Sequence, residues 1–159
     1  MTPKITQLPP LKLVGMRIQT SLANFGSPQL WQQFMPRRKQ ISNIASSENY
    51  SIQIYKKALS LKDFTPNTIF EYWAATPVTQ FESIPDGMES LELDGGKYAV
   101  FIHKGTMAEF QNTLRRSLGC NKVNSQNSYI SFSILCVPYQ LFHFLAKPLF
   151  LIVFLKNYV

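Results

Sequence analysis

Between residues 11 and 78 the chain sets down strand, helix, strand, strand in order, and at Lys97 it begins the same order again. A unit repeated in this way predicts a duplicated β-α-β-β fold, because neither half alone offers its apolar faces enough cover. The strand signals are periodic: Tyr50, Ile52, Ile54 and Lys56 alternate with Ser51, Gln53 and Tyr55, and Ile69, Glu71, Trp73 and Ala75 fall on one face of the strand over 68–78. The first strand covers 11–22 and follows the stop at Pro9-Pro10. Ser27 reads as an N-cap with Pro28 in the first turn, and Leu30, Trp31, Phe34 and Met35 recur at helical spacing. Pro36 is expected to kink or restart that helix. Asp94-Gly95-Gly96 reads as a hairpin turn between strands over 88–93 and 97–104. Thr106 and Glu109 form a capping box, and Met107, Phe110, Leu114 and Leu118 hold one face of a second helix.

Charge divides the chain. All nine acidic residues lie between Glu48 and Glu109, and none follows. We therefore separate a body, 1–117, from an apolar tail, 118–159, rich in Phe, Leu, Tyr and Asn, in which 129–137 and 149–155 are strand-forming by composition but not by alternation. Of the sixteen cations only Lys122, Lys147 and Lys156 are in the tail, so thirteen face nine acids in the body and the overall +7 falls to +4 there. That is short of the basic stripe nucleic-acid binding needs, and no recognition-helix pattern is present, so no direct nucleic-acid contact is expected. Arg37-Arg38-Lys39, Lys56-Lys57 and Arg115-Arg116 read as solvated cations at element ends. A membrane-spanning reading of 134–155 is disfavoured by Lys147, Pro138, Pro148, Gln140 and His143. Cys120 and Cys136 imply no disulfide framework, and no signal peptide is evident, so the expected location is the cytoplasm.

Four ordered phrases carry a resemblance: Leu30-Trp31-Gln32-Gln33-Phe34-Met35-Pro36-Arg37-Arg38, Phe70-Glu71-Tyr72-Trp73-Ala74-Ala75-Thr76-Pro77-Val78, Ile84-Pro85-Asp86-Gly87-Met88-Glu89 and Gly95-Gly96-Lys97-Tyr98-Ala99-Val100-Phe101. Over about 3–114 the chain resembles the GyrI-like (gyrase-inhibitor-like) effector-binding domains, which also occur fused to AraC-type and MerR-type regulators. The resemblance implies an α+β fold: a curved antiparallel sheet with two helices on one side and a small-molecule groove between its halves. Relatives continue past the second helix with a Trp-Leu-Pro-like segment and a strand bearing a Pro-His-Phe-Glu-like phrase, whose Glu is the usual counter-charge for cationic ligands. Nothing here matches that Glu, which marks the tail as a replaced segment and the second unit as incomplete.

Glu71 and Trp73 share a strand face, so a carboxylate and an indole line one side and suit an organic cation. Trp31 and Phe34 have core spacing, and only the resemblance adds them to the groove. Tyr98 and Phe101 lie on opposite faces of one strand, and Tyr98 is preferred for its hydroxyl. The candidate ligand-binding residues are therefore Trp31, Phe34, Glu71, Trp73, Tyr98 and Phe101. No catalytic residue, metal site or cofactor is expected: His103 and His143 are lone imidazoles, and no Cys/His cluster, phosphate loop or serine elbow is present. The expected function is a standalone effector-binding domain that senses or sequesters a small, partly hydrophobic and cationic molecule, with a protein partner in the same groove as a variant of it. The competing classes are a small hydrolase using Glu71 with Tyr98, and a non-functional or membrane-tethered product of the altered tail.

Overall fold

The computed structural model describes residues 4–54, 65–104 and 149–155. In chain order these form strands β1 (Lys4–Leu8) and β2 (Leu11–Thr20), helix α1 (Ser27–Arg37) with a 3-10 turn over Arg38–Gln40, then β3 (Tyr50–Ile54), β4 (Phe70–Pro77), β5 (Glu89–Leu93), β6 (Gly96–Lys104) and β7 (Leu149–Leu155). The fold is α+β, with every strand pair antiparallel. The run β2-α1-β3-β4 is the expected first unit. The second helix, expected over 106–118, lies outside the described residues, as do the tail residues 118–148. Within the tail, 149–155 is a strand in full register on β6, from Lys104↔Leu149 to Tyr98↔Leu155.

The expected hairpin at Asp94-Gly95-Gly96 is not formed. The strands on either side belong to different sheets: β5 joins the order β3-β4-β2-β5, and β6 joins β1-β6-β7. Instead β1 pairs with β6 from Lys4↔Val100 to Leu8↔Gly96, and β2 pairs with β5 from Leu11↔Leu93 to Gly15↔Glu89. The offset is the same on both sides of the break, so residues 4–15 and 89–100 form one long antiparallel ribbon that passes from one sheet to the other. Pro9 and Pro10 have no amide proton to donate, which interrupts the ladder at this point. Gly95 lets the chains close up there: a Cβ on it would stand 2.8 Å from Pro10 Cδ and 3.1 Å from the Leu8 carbonyl oxygen. A short strand leading into each unit is thereby lent to the other, and this exchange ties the two sheets together.

Helix α1 covers one face of the four-stranded sheet. Leu30 and Phe34 are buried against Val14, Phe70, Tyr72 and Ala74, with Ile41, Val78 and Met88 completing that core. The opposite face, helix-free among the described residues, carries a second buried cluster of Leu13, Tyr50, Ile52, Trp73, Ala75 and Leu93. Strand β4 is buried along its whole length and is an inner strand, paired on one edge with β3 and on the other with β2.

Ser27 is the first helical residue rather than the cap. Gly26 occupies the cap position without a side-chain bond, and the Ser27 hydroxyl donates to the Tyr72 hydroxyl at 2.8 Å. Trp31 Nε1 donates to the same oxygen at 3.0 Å, and the Tyr72 hydroxyl is also hydrogen-bonded to Ser51 Oγ. This junction locks the helix to the sheet. Pro36 is accommodated because α1 ends one residue later and passes into the 3-10 turn. Arg38, read from sequence as a solvated cation, is instead a half-buried clamp: its guanidinium donates to Asn49 Oδ1 at 2.8 Å, the Ser46 carbonyl at 3.0 Å and Thr76 Oγ1 at 2.9 Å. A planar fork meeting three acceptors at once explains why arginine stands there.

Candidate functional site

The helix-free face owes its chemistry to register. Strand β2 runs between β4 and β5, and Arg17 lies directly across from Trp73. On the same face Glu71 of β4 is one pleat further along, and Glu89 of β5 lies opposite Gly15 on the other flank. Both carboxylates are diagonal neighbours of Arg17, within reach of a long side chain. Arg17 Nη1 is 3.1 Å from Glu71 Oε1, and Arg17 Nε donates to Glu89 Oε1 at 2.8 Å. Its guanidinium carbon stands 5.7 Å from the centre of the Trp73 ring, within cation–π range.

Burial is graded across the cluster. Side-chain exposure is 10% for Glu71, 37% for Arg17 and 52% for Glu89, and Trp73 is only 4% exposed. The carboxylate and the indole are thus deeper than the arginine that contacts both. Two carboxylates around one guanidinium leave a residual negative charge. Hydrogen bonds to Glu89 and then Glu71 raise the Arg17 guanidinium further above its ordinary value, so it stays charged. Trp73 Nε1 is buried and has no hydrogen-bond partner among the described residues. Over nine in ten buried donors in proteins are satisfied, so this indole N–H is an exception. Around these polar groups the face is apolar, floored by Leu13, Ile52, Ala75 and Leu91.

Within the buried cluster of this face Tyr50 donates to Glu48 Oε2 at 2.8 Å. Burial first, and that hydrogen bond second, push its phenol well above the ordinary value, so the proton stays on oxygen.

The expected site residues are divided by the fold. Glu71 and Trp73 lie side by side on the helix-free face, as their spacing implies. Trp31 and Phe34 lie beyond the sheet: Phe34 is fully buried in the helix-side core and meets Trp31 edge-on at 5.7 Å, while the Trp31 indole is engaged by Tyr72. Tyr98 is in the other sheet, 3% exposed, with its hydroxyl donating to the Asp94 carbonyl. Burial, and then the charge of Asp94, raise its pKa, so it keeps its proton and makes a poor base beside Glu71, which is occupied by Arg17. Phe101 is placed by backbone register alone, opposite Ile152. Arg17 and Glu89 were not foreseen. Their only signal is the pairing of β2 with β4 and β5, which residues far apart in sequence decide. Among the described residues no group of His, Cys, Asp and Glu has metal-binding geometry, and no helix is long and apolar enough to cross a membrane.

Comparison with known proteins agrees with this architecture. Residues 4–132 match the Cass2 family of integron-associated effector binding proteins. Over 113 residues the chain is 30% identical to the transcriptional regulator BrlR of Pseudomonas aeruginosa, and that stretch is 70% of this chain but only 38% of the regulator. The integron cassette protein from the mobile metagenome of Vibrio cholerae superposes with a TM-score of 0.61 at 12% identity, over 99% of this chain and 97% of that one. A protein from Staphylococcus aureus described as a bacterial transcription regulator gives 0.61 at 16% identity, over 98% of each chain. At such identities the two structures speak to fold alone. The sequence match over most of the chain, on a fold shared at full length, places this protein in the Cass2 family of integron-associated effector binding proteins, related to the GyrI-like effector-binding domains.

Proposed function

We propose that the chain is an effector-binding module that captures a small, partly hydrophobic organic cation on the helix-free face of the β3-β4-β2-β5 sheet, as a sensor or sequestering protein. One juxtaposition carries the reading: a buried carboxylate, Glu71, beside a buried indole, Trp73, whose N–H has no partner among the described residues, on an otherwise apolar floor. A desolvated carboxylate and an aromatic ring hold a cation more strongly than an exposed pair does. The free N–H adds a preference for a ligand that also bears an ether, hydroxyl or carbonyl oxygen. The chain spans well under half of the regulator it matches, so the reading here is ligand capture rather than control of a gene.

The experiment is calorimetric titration with benzyltrimethylammonium and its uncharged carbon isostere, neopentylbenzene. The native chain is expected to prefer the cation, and Glu71→Gln to weaken cation binding by about tenfold or more, since one buried counter-charge is worth about 1.4 kcal/mol or above. Equal affinity of Glu71→Gln and the native chain for the cation contradicts the proposal.

A further inference from the structure

The position a cationic ligand would need is filled by the protein itself. Arg17 makes both contacts such a guest would make: its Nη1 is 3.1 Å from Glu71 Oε1, and its guanidinium faces the Trp73 ring at 5.7 Å. Its third contact has a different character. Glu89, bonded through Nε at 2.8 Å, is half exposed and lies on β5, the flank away from Trp73. Arg17 therefore holds a buried carboxylate with one end of its fork and a solvated one with the other.

The two partners differ in what they lose on release. Glu89 keeps its water when Arg17 moves, so that contact is worth little and needs no replacement. Glu71 is buried, and a buried carboxylate stripped of its cation is strongly disfavoured unless another cation takes the place. Leaving Glu71 therefore costs Arg17 more than leaving Glu89, a guest of like charge recovers that cost, and Glu89 remains within reach of the displaced guanidinium.

We infer that Arg17 is an intramolecular competitor, a built-in surrogate ligand that occupies the Glu71–Trp73 cation position and is displaced toward Glu89 when an organic cation binds. This rests on the site proposed above and adds its regulation: the guest needs a cation to replace arginine at Glu71, and its affinity is set by how far its charge, apolar surface and acceptor for Trp73 Nε1 exceed what Arg17 gives up there. The exchange swaps one cation for another and leaves the net charge around Glu71 unchanged.

The test is the Kd of benzyltrimethylammonium for the full chain, the native protein beside Arg17→Gln, Arg17→Lys and Glu71→Gln, with melting curves to confirm folding. Removing an ion pair and a cation–π contact made by a guanidinium that is itself partly exposed predicts a Kd roughly three- to thirtyfold lower for Arg17→Gln. Arg17→Lys keeps the charge but cannot span both carboxylates, so it is expected to fall between the two. If Arg17→Gln binds no more tightly than the native chain while Glu71→Gln has lost binding, the competitor is overturned and the cation site stands. If Arg17→Gln binds more tightly but Arg17→Lys matches the native chain, the effect is one of charge at a distance, and contact competition is overturned. Absence of binding by every variant overturns both.

Discussion

Alanine at position 15 is expected to cost about 3 kcal/mol or more and to lower Tm by roughly 6 to 12 °C, the upper end of what overpacking does to a core. Gly15 is buried at the centre of β2, flanked by β4 and β5, and pairs with Ala75 on one side and Glu89 on the other. A Cβ on it would stand 2.2 Å from the Ala74 carbonyl oxygen and 2.6 Å from Ala75 Cα and Cβ. Those atoms are backbone, or fixed to it, in a strand paired on both edges, so relief requires the sheet itself to separate. Arg17 is two residues away on the same face, and the substitution is expected to disturb the ion pairs with Glu71 and Glu89 as well. Thermal unfolding followed by circular dichroism measures the effect, and a Tm within about 2 °C of the native value contradicts this account of the sheet.

Phe34→Ala is expected to be as damaging to stability and harmless to ligand capture. The ring is fully buried between α1 and the sheet, and removing such a ring costs about 3 to 5 kcal/mol through lost transfer energy and the cavity left behind. It lies on the side of β4 away from Glu71 and Trp73, so the protein that remains folded at low temperature is expected to bind an organic cation with an unchanged Kd. A large loss of affinity with little loss of stability would put the ligand on the helix side instead.

These two expectations mark what was legible in the chain and what was not. Strict alternation at 50–54 and 69–75 needs no partner to be read, since a strand's faces follow from a period of two. It put Glu71 and Trp73 on one face, where the structure has them. Helical spacing likewise turned Trp31 and Phe34 toward a sheet but did not say which face that sheet would offer, and the two pairs ended on opposite sides. Register was beyond reach, because which residue of β2 meets Trp73 depends on contacts between segments more than fifty residues apart. Arg17 and Glu89 were thus invisible as site residues although Glu71 and Trp73 beside them had been noticed. The Gly95-Gly96 step misled for a related reason: a hairpin and a crossing use the same flexible residues, and only the prolines at positions 9 and 10, lying opposite, distinguish them. Strand β1 went unread, because its partner β6 lies near residue 100 and local alternation over five residues is weak. In the tail, 149–155 joined a sheet as its composition allowed, a continuous apolar run being compatible with a strand even where alternation is absent.

The claim that matters most is the location of the ligand, and the chain carries its own reporters for it. It has two tryptophans, and they lie on opposite faces of one sheet, Trp31 bonded to Tyr72 under the helix and Trp73 beside Glu71 on the other side. The direct measurement is emission from Trp31→Phe, in which Trp73 alone fluoresces, and from Trp73→Phe, in which Trp31 alone does, during titration with benzyltrimethylammonium. A saturable change in the Trp73 signal with a silent Trp31 is the predicted result. A response from Trp31 while Trp73 stays constant contradicts the account.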